Sequence, residues 1–174
     1  MRRHGLLALR RLAALDLGLL RLLRTRGHTP AVENALIGLA RAGENGLLWN
    51  AIATVGGTLS ARRRDDYVRA IEIVLVTLLL NTAVKQTVRR ARPVLEEELP
   101  ALTPVLSGRS YPSAHASTSF AGARALAAAG LPSAPLRAVA VAMALSRPYL
   151  GVHYPSDVVA GGVLGDAVAR IMTR

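Results

Sequence analysis

Residues 67–84, YVRAIEIVLVTLLLNTAV, constrain this chain more than any other stretch. They run close to the roughly 20 mostly apolar residues that a helix needs to cross a bilayer. KQTVRRARP follows at once, and Pro93 ends any helix that continues that far. A chain built around such a run must satisfy its backbone polar groups internally wherever it meets lipid, which favours helices throughout. The composition agrees: 51% of residues are hydrophobic but only 3% aromatic, so the apolar content is Leu, Ala and Val suited to closely packed helices. With no cysteine, disulfides and thiolate metal sites are excluded.

Four further apolar segments share the pattern. GLLWNAIATVGGTLS (46–60) is shorter than a full span and is expected to cross only as a short or tilted helix, with Arg62–Asp66 as a polar turn after it. SAHASTSFAGARALAAAG (113–130) is almost wholly small residues and ends at Leu131-Pro132. PLRAVAVAMALSRPY (135–149) should stop near Pro148, and PSDVVAGGVLGDAVARIMT (155–173) carries Gly161-x-x-x-Gly165. That spacing lets membrane helices approach closely, inside a monomer as readily as between two, so it fixes no oligomeric state.

The first 26 residues are too charged for a span and lack the cleavage site of a signal peptide. At about 100° per residue, Arg3, Arg10, Arg21 and Arg24 share one stripe, with leucines over most of the remainder. The pattern predicts an interfacial amphipathic helix, arginines towards headgroups and leucines in the acyl boundary. Thr29-Pro30 should open a second short helix with Val32, Ala35, Leu36, Leu39 and Ala40 on one face, broken by Gly43. The expected architecture is an all-α integral membrane bundle of about five transmembrane helices, divided into an amphipathic arm (1–43) and a membrane core (44–174).

The formal net charge of +11 points to an anionic partner. No helix-turn-helix, zinc-finger or aromatic-studded RNA-binding pattern is present, so a membrane surface is favoured over nucleic acid. Lys85 is the only lysine in the chain; every other cation counted in that charge is arginine.

The ionisable clusters fall at the ends of consecutive apolar segments. Lys85–Arg92 follows the second, Ser113 and His115 open the third, and SRPYLGVHYPSD (146–157) joins the fourth to the fifth. If the helices alternate in direction, Lys85, Arg92, Ser113, His115, Arg147, His153 and Asp157 meet at one membrane face. Lys and Arg suit phosphate oxygens, and an N-cap Ser113 would aim helix N–H groups at an anion. His153 precedes Asp157 by four residues, a spacing that can fix the imidazole's tautomer and leave its other nitrogen free to attack. His115 is then available as a general acid. Taken singly, each cluster has a plainer reading: a juxtamembrane basic patch, a capping histidine, or an Arg147–Asp157 salt bridge between helix ends. Their joint placement favours the shared site.

Three motifs stand here in order: Lys85-x6-Arg92-Pro93, Pro112-Ser113-Ala114-His115, and Ser146-Arg147-x5-His153-x3-Asp157. Together they resemble those of the type 2 phosphatidic acid phosphatase (PAP2) superfamily of membrane lipid phosphatases. The resemblance implies a phosphohistidine on His153, with Asp157 orienting it and His115 protonating the departing alkoxide. Lys85, Arg92, Ser113, Ala114 and Arg147 would hold the phosphate, with neither metal nor other cofactor. Ala114 departs from the family's glycine, which is tolerable if its φ is negative. His4 and His28 match no motif and are expected at the surface, and Glu96–Glu98 are expected to edge a solvated loop.

Size, Arg/Ala-rich style and overall likeness favour compact bacterial members acting on a polyprenyl-linked phosphosugar such as decaprenylphosphoryl-phosphoribose, in cell-wall precursor synthesis. Phosphatidic acid, phosphatidylglycerophosphate and undecaprenyl diphosphate are alternative substrates. A lipid phosphotransferase or a non-catalytic lipid-binding scaffold are alternative functions. With five spans the arm shares the active-site face, and its arginines place that face in the cytoplasm.

Overall fold

The computed structural model describes residues 2–94, 101–105 and 108–174, with side chains from residue 11 onward. Glu96–Glu98 and the side chains of Arg3, His4 and Arg10 lie outside these. Seven α-helices follow in order: α1 Arg2–Thr25, α2 Pro30–Ala42, α3 Leu47–Leu59, α4 Arg64–Val88, α5 Ala114–Ala128, α6 Ser133–Tyr149 and α7 Pro155–Met172. Among the described residues the only β-pairing is an isolated bridge between Ala91 and Arg109.

The polar stretch 62–66 is a turn only as far as Arg63. A 3-10 turn at Ala61–Arg63 leads straight into α4, whose first turn carries Asp65 and Asp66. Acidic groups at a helix N-terminus offset the exposed N–H dipoles, so the charges that suggested a break instead start the helix. α4 also runs past Val84, placing Lys85 in its last turn. Among the described residues, the stretch Ala61–Val88 is the one helix long and apolar enough to cross a membrane. At 13 residues, α3 reaches only about 20 Å. α6 stops at Tyr149, next to Pro148 as expected, with the proline inside its last turn.

α5 is the centre of the bundle, packed against α4, α6 and α7. Between helices in lipid, packing rather than water exclusion supplies the drive, so small residues matter. Nine of them or their neighbours on α5 are buried, from Ala116 to Leu126. Gly161 and Gly165 face this helix, and a Cβ built on Gly165 would lie 1.9 Å from the Ser117 carbonyl oxygen. The glycine spacing on α7 thus serves packing within the chain. On the opposite flank Trp49 of α3 fits over Gly122 and donates from Nε1 to Ser119 Oγ at 3.1 Å.

α1 docks on α6 and α7. Its inward stripe is Asp16, Leu20 and Arg24, while Leu12, Leu15, Leu19 and Leu22 face outward. The outward leucines fit an acyl boundary. Arg24, expected among headgroups, is instead buried beside Gly151. On α2 the inward residues are Leu36, Ile37 and Ala40, with Val32 exposed. His28 is no surface residue: its ring stacks on Tyr149 at 3.9 Å and its Nδ1 pairs with Glu33 at 2.9 Å. That stack pins the α1–α2 turn to the end of α6.

Candidate active site

α4 ends, α5 begins, α6 ends and α7 begins at one end of the bundle, as alternating helices require. A cavity of about 470 Å³ opens there, lined by Lys85, Arg92, Ala114, His115, Arg147 and His153. Asp157 lies directly behind His153. A groove of about 1020 Å³ between α5, α6 and α7 is larger, but its walls are mainly apolar and none of the motif residues line it. The smaller cavity is therefore the candidate active site.

The segment 150–154 bends back into the bundle after α6. Gly151, at φ +77°, takes the left-handed conformation this reversal requires, and the Val152 N–H then donates to the Arg147 carbonyl at 3.1 Å. His153 is thereby carried inward and is almost fully buried. Its Nδ1 faces Asp157 Oδ2 at 3.5 Å, an ion-pair distance longer than a formed hydrogen bond. Its Nε2 lies 3.1 Å from Arg92 Nη1. A guanidinium only donates, so Nε2 is the accepting nitrogen and the ring proton resides on Nδ1, towards Asp157. Burial pushes the imidazole down to about 4, helped by the Arg92 and Arg147 charges and opposed by Asp157. His153 is neutral at pH 7.

Asp157 is completely buried. Its Oδ2 accepts the Tyr154 N–H at 2.9 Å, and its Oδ1 accepts Arg90 Nη1 at 2.8 Å. Arg90, not Arg147, is the cation paired with it. Arg147 is buried along the cavity, and its Nε has no hydrogen-bond partner among the described residues. A buried donor left unsatisfied is costly, and an anion in the cavity would satisfy it.

Ser113 is the N-cap of α5, accepting from the Ala116 N–H at 3.5 Å, and its own N–H donates to the Asp157 carbonyl at 3.0 Å. The residue is fully buried and does not line the cavity. Its contribution is to fix the N-terminus of α5, whose first N–H groups have no intrahelical acceptors. Ala114 begins that helix, and it is not among the residues at positive φ. The methyl that replaces the family's glycine thus strains no backbone. His115 approaches the Ala40 carbonyl with Nε2 at 2.9 Å. A carbonyl only accepts, so this nitrogen carries a proton.

Several lining residues had no motif to announce them. Glu44 and Asn45 reach the cavity from the 3-10 turn Glu44–Gly46 between α2 and α3. Asn45 takes φ +50°, a conformation asparagine tolerates better than most residues. Arg109 arrives on the returning loop, where the Arg92 N–H donates to the Gly108 carbonyl and the Ser110 N–H to the Arg90 carbonyl. That loop also brings Pro104 and Val105 over the cavity. The flanking glycines at 43 and 46 were a turn signal for the first group; the second needed the fold.

Known proteins resemble this chain in sequence and in fold. The sequence pattern of the PAP2 superfamily matches residues 66–174. Decaprenylphosphoryl-5-phosphoribose phosphatase of Mycobacterium tuberculosis (strain ATCC 25618 / H37Rv) is 38% identical, over 82% of this chain and 85% of that protein. The protein of the same name from Mycolicibacterium smegmatis is 34% identical, over 76% and 72% respectively. Among solved structures, Aquifex aeolicus LpxE superimposes with a TM-score of 0.76 at 25% identity, covering 91% of this chain and 94% of that one. A transmembrane PAP2 type phosphatidylglycerolphosphate phosphatase from Bacillus subtilis gives 0.76 at 22%, covering 93% and 84%, a likeness of fold.

Proposed function

Since this chain belongs to the PAP2 superfamily and is a membrane lipid phosphatase, we propose that it hydrolyses a polyprenyl-linked phosphosugar, decaprenylphosphoryl-5-phosphoribose, through a phosphohistidine on His153. The observation that carries the mechanism is the orientation of His153, with its accepting Nε2 on the cavity side and its protonated Nδ1 towards Asp157.

Substrate phosphate enters among Lys85, Arg92, Arg147 and the N-terminus of α5, and its oxygens draw Arg92 away from Nε2. The Nε2 lone pair then forms an N–P bond as the P–O bond to the ribose breaks. Asp157 stabilises the positive charge that develops on the ring. The ribose oxygen leaves with a proton from His115, which enters the step as the imidazolium favoured by the bound phosphate's negative charge: Nε2–H stays on the Ala40 carbonyl, and the Nδ1 proton is given up to leave a neutral ring. Water next attacks phosphorus, His115 takes its proton, the N–P bond breaks, and orthophosphate and free His153 result. The crowded fixed cations stabilise charge on the transferring phosphoryl oxygens.

The substrate reading is supported by the mycobacterial relatives and by Glu44 and Asn45 at the cavity wall. A carboxylate repels phosphate, so its presence suits recognition of hydroxyls beside the phosphate, as on a ribose. We read the chain as a multi-pass protein of the cell membrane with about five spans and the site on the cytoplasmic face. Asp16 of α1 bonds to Ser156 at the active-site end, which supports an arm and a site on the same side. The arm's arginines then favour the cytoplasm.

The test is phosphate release by purified protein in detergent from a panel: the decaprenyl phosphosugar, phosphatidic acid, phosphatidylglycerophosphate and undecaprenyl diphosphate. Preference for the first is expected, with no activity in His153→Ala. Equal rates across the panel would remove the dedicated substrate, and an active His153→Ala would remove the mechanism.

A further inference from the structure

We propose that Arg90 and Asp16 are positioning residues for the nucleophile, and that through them the amphipathic arm α1 sets the geometry of the His153–Asp157 pair. This rests on the reading of His153 as the nucleophile. Neither residue belongs to the three motifs, and Asp16 lies some seventy positions from the first of them.

The argument begins with Asp157. A completely buried carboxylate needs a charged partner close by, and here that partner is the Arg90 guanidinium at 2.8 Å. Arg90 stands on the loop just beyond α4, with a long side chain that needs holding. Its Nη2 bonds to Asp16 Oδ2 at 2.8 Å, its Nη1 also reaches Ser156 Oγ at 2.7 Å, and its plane lies 3.9 Å over the Tyr154 ring. The guanidinium therefore spans two carboxylates, one nitrogen to each, a task for a rigid fork rather than a lysine ammonium.

Asp16 closes the circuit. Its Oδ1 accepts the Ser156 N–H at 2.9 Å, in the first turn of α7 and next to Asp157 itself. Burial alone would raise its carboxyl, but the hydrogen bonds from Ser156 and Arg90 outweigh that and hold it ionised. Asp16 is the sole acidic residue between Met1 and Thr25, and it occupies the inward stripe with Leu20 and Arg24. A helix of leucines and arginines has thus placed its one carboxylate against the cation that holds the orienting aspartate. Lifting α1 removes Asp16 from Arg90, frees the guanidinium, and lets Asp157 turn from Nδ1.

A staple that merely fastens α1 would affect stability without selecting a kinetic step. The experiment is steady-state kinetics of the full chain in detergent micelles, on whichever panel substrate the wild type turns over fastest. Asp16→Asn, Arg90→Ala, their double variant and Arg90→Lys are compared with His153→Ala. Asp16→Asn is expected to lower kcat about tenfold and Arg90→Ala about a hundredfold, each with KM unchanged within about twofold. The double variant should match Arg90→Ala, because the two act in series. Added guanidinium should restore part of the Arg90→Ala rate and none of the His153→Ala rate. Wild-type kcat in Asp16→Asn and Arg90→Ala, with His153→Ala dead, overturns the positioning role and leaves the proposed function standing. An active His153→Ala overturns the nucleophile assignment and the positioning role together. If Arg90→Ala does not fold, Arg90→Lys decides: it keeps the charge but not the fork, so an unchanged kcat there overturns the role.

Discussion

Arg92 Nη1 and His153 Nε2 stand 3.1 Å apart, so the guanidinium proposed to hold phosphate covers the nitrogen proposed to attack. Arg92 also donates to the Val152 carbonyl at 2.7 Å, which keeps it in place over the ring. Attack and phosphate binding are thereby coupled: drawing Arg92 onto an anion uncovers the lone pair.

The first prediction concerns pH. His153 must be neutral to attack, and burial has pushed it down to about 4 against the usual 6.5. Protonation therefore removes activity only as pH falls through about 4, and the acid limb of kcat/KM should have no component from His153 near 6.5. Arg92→Ala removes one like charge and should move that limb upward. The check is a pH–rate profile of both proteins between about pH 3.5 and 8. An Arg92→Ala limb below the wild-type limb contradicts the electrostatic account.

The second concerns the α5–α7 contact. A methyl at Gly165 would sit 1.9 Å from the Ser117 carbonyl oxygen, and backbone cannot yield as a side chain can. Gly165→Ala should destabilise the protein by about 3 kcal/mol, the upper end of ordinary overpacking, and lower its thermal midpoint in detergent. At Gly162 the nearest atom is Phe120 Cδ2 at 3.2 Å, which can shift, so Gly162→Ala should cost much less. Equal midpoints for the two variants would be the contrary result.

The third concerns the substrate. Glu44→Ala takes away a carboxylate that faces the cavity without belonging to the phosphate cradle. Its kcat/KM on the phosphosugar should fall about tenfold, the worth of one hydrogen bond to a charged group. The rate on phosphatidic acid should hold or rise, because a like charge near the phosphate is gone. A uniform fall across both substrates would instead make Glu44 a structural residue of its turn.

The helices and the cavity were legible because apolar runs and one topological rule carry them. Apolar runs marked α4 to α7, and alternating direction brought Lys85, Arg92, His115, Arg147 and His153 to one end. Charge placement was harder to read. The turn expected over Arg62–Asp66 ends at Arg63, because acidic residues at a helix start favour the helix. Arg24 looked like a headgroup ligand because a helical wheel records direction and says nothing of the neighbour that fills it. Arg90 stood among four arginines and lysines of one cluster, and the sequence offers no sign that it, rather than Arg89, reaches Asp157. Asp16, Glu44 and Arg109 join the site only through long-range packing, which single-chain spacing does not encode.

The Nε of Arg147, without a hydrogen-bond partner among the described residues, bears on turnover in the proposed function. In the proposed function, a cradle of Lys85, Arg92 and Arg147 holds the phosphoryl group and not the alcohol it came from. Orthophosphate, carrying a similar charge, meets the same donors after the lipid has left. Product inhibition is thus built into the way the substrate is grasped, and the speed of the catalyst becomes tied to how much free phosphate surrounds it.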